Sequence, residues 1–362
     1  MEIVSYNKKE LQAFIDSDFF NKLDKIPISR QRAISHIRNP YCPDDYVLLW
    51  AAYEGNSLAG YAGVLPDCIE FNNTKHKICW FSCFWVRESY RKQNVAPALF
   101  YSLMKTYENQ LFVSNMLYSL ERSYQNTQIF QPTQKSKGYI FYRTFCFGNI
   151  LKARFLWFKH FLPIYLFTEK ILNFILGIRC LTERKIKTKI EIVENGELND
   201  ELRFFLNDFS KNNKNNIVRD IEHFKWIIEN LWMRVGKPDK ESERYYFSSK
   251  AEQFEYRLLK VYILEKLSGF ILLKIRDKKL TVSYLYVPDQ YKKDVASYIL
   301  NLISDEKIQT LTCFDEILSS YFSKKQSRFV FIKNTKQLYL FTKNIEISSS
   351  IFQAGDGDAV FT

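Results

Sequence analysis

One run of sixteen residues constrains this chain more than any other: Phe84-Trp85-Val86-Arg87-Glu88-Ser89-Tyr90-Arg91-Lys92-Gln93-Asn94-Val95-Ala96-Pro97-Ala98-Leu99. An apolar strand ends, a basic polar turn follows, and an apolar helix begins. That order builds an anion site, because the turn and the first helical residues present free backbone N–H groups and the helix dipole adds partial positive charge. Arg91 and Lys92 add full charges beside them. The helix itself is marked by Leu99, Phe100, Leu103 and Met104 at helical spacing.

The flanking sequence reads as alternating elements. Val47–Tyr53 predicts a strand, Glu54-Gly55-Asn56 a turn, Leu58–Leu65 a second strand and Lys77–Val86 a third. After the helix, Gln110–Tyr118 predicts another strand. The stretch Glu121–Tyr142 ends in Gly138-Tyr139-Ile140-Phe141-Tyr142.

A meander feeding a strand, a basic turn and a helix resembles the GNAT acyltransferases, whose cofactor signature is Gln/Arg-x-x-Gly-x-Gly/Ala. Arg91-Lys92-Gln93-Asn94-Val95-Ala96 fits it at the first and last positions, and Asn94 replaces the middle glycine. Asn is the substitute that best tolerates a left-handed backbone. The resemblance covers residues 1–150 and implies an acyl-CoA-binding domain, with acetyl-CoA as co-substrate and no metal. It places Phe84, Trp85 and Val86 beside the thioester and Arg91, Lys92, Gln93, Asn94, Val95 and Ala96 on the pyrophosphate. A backbone N–H of the cofactor strand would meet the developing oxyanion. Tyr124 is the candidate to protonate the departing thiolate, set against the plainer reading of one more core tyrosine. No general base is visible. Trp80 stands where some members carry a Glu; His76 reads as a loop histidine, and Asp67 and Glu70 as surface charges.

The unit recurs. Tyr291-Lys292-Lys293-Asp294-Val295-Ala296-Ser297-Tyr298-Ile299-Leu300 echoes Tyr90–Leu99 with one residue fewer, and Leu267-Ser268-Gly269-Phe270 echoes Leu58-Ala59-Gly60-Tyr61. The second copy lacks the loop glycine, and Asp294 would repel a pyrophosphate. Its strands are read at Arg257–Glu265, Gly269–Arg276 and Lys279–Val287, its helices at Asn199–Asn212 and Asp220–Trp232, and a closing hairpin at Phe329–Ile332 and Gln337–Thr342. The expected fold class is α/β (α+β): two GNAT-like domains, each a mixed, mostly antiparallel sheet flanked by helices. The divisions are 1–150, a basic aromatic linker at 151–189, a degenerate GNAT-like domain at 190–345 and a tail at 346–362.

Seven cysteines show no metal spacing. Cys79 and Cys83 are expected on one strand face, in the core, and the set reads as reduced thiols of a cytoplasmic chain without a signal-peptide pattern at Met1–Tyr6. Net charge is +12, of which residues 151–189 carry +7 from nine Lys/Arg and two Glu. No nucleic-acid motif accompanies that charge. Two readings of the linker stay open: a helix buried between domains, which is favoured, or weak contact with a membrane surface. Gly355-Asp356-Gly357-Asp358 reads as a flexible turn, lacking calcium-ligand spacing. The function implied is transfer of acetyl from acetyl-CoA to a small-molecule primary amine, with an amino sugar of surface-polysaccharide synthesis as the acceptor suggested by tandem relatives. The alternatives are a peptidoglycan-type aminoacyl transferase using aminoacyl-tRNA, and a non-catalytic protein binding acyl-CoA or a partner.

Overall fold

A computed structural model describes residues 1–71, 74–107, 110–114, 116, 118–145, 162–181, 185–213, 217–343 and 352–362. The first half runs β1 (Glu2–Asn7), α1 (Lys8–Asp16), α2 (Asp18–Lys22), α3 (Arg30–Ile37), β2 (Val47–Glu54), β3 (Ser57–Phe71), β4 (Thr74–Val86), α4 (Val95–Tyr107), β5 (Leu111–Ser114), α5 (Tyr118–Asn126) and β6 (Gln134–Tyr142). Helix α6 (Leu162–Leu181) follows. The second half runs β7 (Glu191–Glu194), α7 (Asp200–Asn212), α8 (Ile221–Glu229), β8 (Arg234–Val235), α9 (Lys240–Arg244), β9 (Lys250–Ala251), β10 (Phe254–Ile263), β11 (Lys266–Arg276), β12 (Lys279–Tyr286), α10 (Lys292–Asp305), β13 (Thr310–Cys313), α11 (Glu316–Lys324) and β14 (Phe331–Phe341).

The order strand–strand–strand–helix–strand–helix–strand therefore occurs twice, from β2 to β6 and from β10 to β14. In each copy an antiparallel meander is followed by one short parallel pairing: β4 with β5 at Cys79–Phe81, and β12 with β13 at Lys279–Thr281. A bulge recurs at the same place, leaving Ser82 as the extra residue in β4 and Ser283 in β12. Gly60 and Gly269 recur as well. A Cβ on either would lie about 3 Å from the valine after the bulge, Val86 (3.1 Å) or Val287 (3.0 Å).

Among the described residues the two units share one twelve-stranded sheet, ordered β1-β2-β3-β4-β5-β14-β6-β13-β12-β11-β10-β7. Their closing strands are exchanged. The second half's β14 pairs with β5 (Tyr339↔Ser114), and the first half's β6 pairs with β13 (Thr310↔Tyr142). The expected closing hairpin is instead this single strand β14, which stays continuous because β6 flanks it from Phe331 to Tyr339.

The exchange draws both halves into one core. Leu65, Ile69, Ile78 and Trp80 pack with Leu202 and Leu206 of α7, Phe224 of α8, Tyr284 of β12 and Tyr339 of β14. Phe352, Val360 and Phe361 belong to that same cluster. The described part of the tail is thus core. Burying a side chain such as Phe361 contributes roughly 1.5–3 kcal/mol, which a solvated turn would forgo. The bulge corrects a second expectation. Cys79 packs with Leu99 and Leu103 under α4, whereas Cys83 packs with Leu49 and Tyr61 on the opposite face. One extra residue flips every later side chain across the sheet.

Candidate active site

Past Phe81, β4 parts from β5 while β3 continues beside it to Val86. The Arg87 N–H donates to the Ala59 carbonyl (2.9 Å). Antiparallel pairing alternates, so Trp85 also bonds toward β3, and the N–H and C=O groups of Phe84 and Val86 point into the gap. A splay lined by β4 backbone results.

The turn heads this splay. Glu88–Tyr90 is a single 3-10 turn, Arg91 N–H donates to Glu88 O (3.2 Å), and Gln93 N–H to Tyr90 O (3.3 Å). Lys92 (φ 69°) and Asn94 (φ 59°) are both left-handed. Asn94 holds the conformation that suits it in place of glycine; the same conformation at Lys92 has no sequence signal. Asn94 O accepts from Ala98 N (3.1 Å) at the head of α4. Val95 and Ala96 lie in the first turn, where N–H groups lack intrahelical acceptors, and Pro97 has no N–H to leave unpaired. Arg91, Lys92 and Gln93 are exposed. Arg91 makes one surface pair with Glu88 at 3.8 Å, which holds it weakly.

Of the three strand residues, Phe84 packs tilted against Phe81 (ring centroids 5.4 Å) and Val86 lies on the α4 side. Trp85 turns to the other face, against Tyr61 (5.6 Å) and Tyr246 (5.7 Å). Tyr124 sits in a ring cluster with Phe81 (6.4 Å), Phe100 (5.9 Å) and Phe130 (5.8 Å), on the wall where β4 leaves β5. Burial pushes its phenol well above the usual tyrosine range. A surface hollow of about 450 Å³, lined by Asp45, Tyr46, Lys105 and Tyr107, lies at the C-terminal end of α4, away from the turn.

The second copy differs. Past Thr281, β12 leaves β13, and the tail fills the opening: Gly355 N–H donates to Ser283 O (2.9 Å), and Leu285 N–H donates to Gln353 Oε1 (3.3 Å). Leu285 is the counterpart of Phe84 in the shared register. Gly355 lies flat on Tyr284, where a Cβ would come within 2.5 Å of the ring. The turn before α10 has no left-handed residue, and Lys292 is occupied by Asp289 (2.8 Å) and Asp315 (2.7 Å). Asp294 accepts from Lys189 N–H (3.0 Å).

Sequence reasoning missed two buried charge clusters. Arg219 is fully buried between Asp67 (2.8 Å) and Asp356 (2.8 Å). Asp67 also accepts from Trp80 Nε1 (2.7 Å), so it is a core carboxylate rather than a surface charge; burial raises its pKa, with Arg219 opposing. Three residues from the tail's Gly355, Asp358 lies 3.3 Å from Arg32 Nη2 and 3.4 Å from Ser82 Oγ, the bulge residue of β4. Arg32 also donates to Ser82 Oγ and to Tyr245 OH (3.0 Å). The Asp358 side chain keeps 16% of its surface exposed. Burial pushes its carboxyl above the usual range, and Arg32 opposes the shift. The Gly355–Asp358 stretch, expected as a flexible turn, is therefore fixed by two buried arginines. Neither pairing has a local sequence signal, because the partners lie far along the chain.

No known family's sequence pattern matches this chain. No curated protein matches it in sequence either. Solved structures do. An Enterococcus faecalis protein described as a probable N-acyltransferase superposes with a TM-score of 0.51 at 10% identity, over 95% of this chain and 73% of its own. Saccharomyces cerevisiae N-myristoyltransferase with bound myristoyl-CoA gives 0.49 at 10% identity, over 94% and 82%. The chain shares the fold of the first, a mixed α/β architecture around a large, mostly antiparallel sheet.

Proposed function

We propose that the chain is an N-acyltransferase that moves an acyl group from coenzyme A to a primary amine, using the first splay alone. One observation carries the reading: the first splay is headed by a left-handed basic turn whose cations are exposed, while the second is filled by the chain's own tail. The fold shared with the Enterococcus faecalis protein supports it. Acetyl is the acyl group the Arg91–Ala96 resemblance favours, and an amino sugar of surface-polysaccharide synthesis is the acceptor we put first. The five described cysteines that are free, Cys42, Cys68, Cys79, Cys83 and Cys313, suit a reducing compartment such as the cytoplasm.

In this reading Arg91, Lys92 and the N–H groups of Asn94, Val95 and Ala96 hold the pyrophosphate. The Phe84 or Val86 N–H meets the oxygen of the thioester carbonyl as charge develops on it. The neutral amine attacks the carbonyl carbon; the C–N bond forms, the C–S bond breaks, and the amine's proton passes through water to Asp358. A carboxylate with a raised pKa, beside the β4 bulge, suits that task. Tyr124 stays protonated, since burial raises its pKa, and serves the leaving thiolate as a hydrogen-bond donor.

Calorimetry with coenzyme A tests the reading. One site per chain is expected. Arg91→Glu should weaken binding by roughly tenfold to a hundredfold, as for losing a charge-assisted phosphate contact. Lys293→Glu should leave it unchanged. Normal binding by Arg91→Glu with loss in Lys293→Glu would reverse the assignment of the two splays. Binding of aminoacyl-tRNA without coenzyme A would replace the reading with the aminoacyl-transferase one.

A further inference from the structure

Helix α6 carries an apolar face that nothing described covers. Ile164, Phe167, Ile171, Phe174 and Ile175 are all exposed, Phe167 at 64% and Phe174 at 72%. Their spacing of i, i+3, i+7, i+10 and i+11 gathers them into roughly a third of the helix circumference. The orientation is fixed from the other side. Asn173 clamps the end of the β6 segment, accepting from Phe145 N–H (2.8 Å) and donating to Phe145 O (2.9 Å). Leu172 and Leu176 share that inner, half-covered side. Burial of these aromatics between two domains, the favoured expectation for the linker, therefore does not hold for Phe167 and Phe174; residues 151–161 and 182–184 lie outside the described set.

We propose that this outer face of α6 docks on an anionic lipid surface. Charge selects the occupant. Lys170 is exposed beside the stripe, and the segment 151–189 that contains the helix carries +7. A second copy would pair two segments of the same +7 net charge, whereas an anionic bilayer attracts cations while the rings enter the headgroup region. No helix among the described residues is long and apolar enough to cross a membrane, so the helix lies along the surface. The inference goes beyond the acyltransferase reading and does not depend on it.

The test is flotation of the full chain with vesicles of phosphatidylglycerol and phosphatidylcholine, and of phosphatidylcholine alone. Binding is expected to the anionic vesicles, falling steeply as salt is raised. The double variant Phe167→Ser/Phe174→Ser should lose roughly tenfold or more, because both rings leave the interface. Phe204→Ser, an exposed aromatic on α7, should bind like the native chain. Thermal unfolding and coenzyme A titration of each variant separate misfolding, and failure of the acyl-donor reading, from loss of docking. Equal flotation of the double variant and the native chain would overturn the proposal. So would absence of flotation together with a concentration-dependent dimer, by light scattering, that Phe174→Ser abolishes.

Discussion

Replacing Arg219 with Met should loosen the whole molecule. The guanidinium is fully buried and lies 2.8 Å from carboxylates on β3 and on the tail. Met keeps much of the volume and removes the charge. Both Asp67 and Asp356 are then stranded, and each is itself buried. Removing one partner of a buried ion pair costs about 3–5 kcal/mol. With two carboxylates left, the loss should lie at the top of that range, a large part of the roughly 5–15 kcal/mol by which folded chains are stable. The deficit should depend on pH. Burial raises the Asp67 pKa and Arg219 opposes that shift, so without the guanidinium this carboxyl stands above its unfolded value, and the variant loses stability as pH rises through the carboxylate range and regains part of it in acid. Guanidinium unfolding followed by tryptophan emission is the assay. Trp80 donates to Asp67, and Trp232 stacks on Phe361 of the tail (4.2 Å), so both report on the region. Adding Asp67→Asn and Asp356→Asn removes the stranded charges and should return at least about 2 kcal/mol, since this is a coupled network. A loss under about 1 kcal/mol for Arg219→Met, or no recovery in the Asn background, would refute the reasoning.

The turn and the tail give two further outcomes. Asn94→Gly should preserve or improve coenzyme A affinity by calorimetry, whereas Asn94→Val should weaken it by about tenfold, from roughly 1–2 kcal/mol of left-handed strain. Asp358→Asn should lower kcat/KM by about 10²–10⁴ and remove the acid limb of the pH profile, with coenzyme A affinity kept. That limb should lie above the ordinary aspartate range, because burial raises the Asp358 pKa and activity falls as pH drops through it. An unchanged acid limb in Asp358→Asn would assign the proton to another group.

Local chemistry was legible in the sequence. The strand–turn–helix order, the left-handed Asn94 and the doubled meander all appear as read, because each depends on neighbours in the chain. Positions set by distant partners were not. Asp356 meets Arg219 across 137 residues, and the exchange of β6 and β14 depends on which sheet edge each strand finds. Periodicity places Cys79 and Cys83 on one face, and only the bulge at Ser82 separates them. The feature that sets the second copy apart also differs from the expected one. Asp294 was to repel a pyrophosphate, but it is engaged by a backbone N–H, and the splay behind it is already filled.

In the proposed reading, that filling gives the second unit a use to the first. Four residues of tail connect the two splays. Gly355 is hydrogen-bonded to β12 in the second, Asp356 is locked by Arg219 beneath the shared core, Gly357 packs against Trp80 and Ser114, and Asp358 reaches Ser82 at the bulge of β4. A free tail would place a carboxylate at the first splay only for part of the time, and ordering each residue costs about 1–2 kcal/mol of backbone entropy. Binding the preceding residues to β12 meets that cost away from the reacting atoms. Ser283 O and Leu285 N–H of β12, the latter the counterpart of the Phe84 N–H, are the groups that hold the tail. In the proposed reading, closure of the second splay and fixation of a carboxylate beside the first are one structural arrangement, for which a chain using a single splay would keep both units.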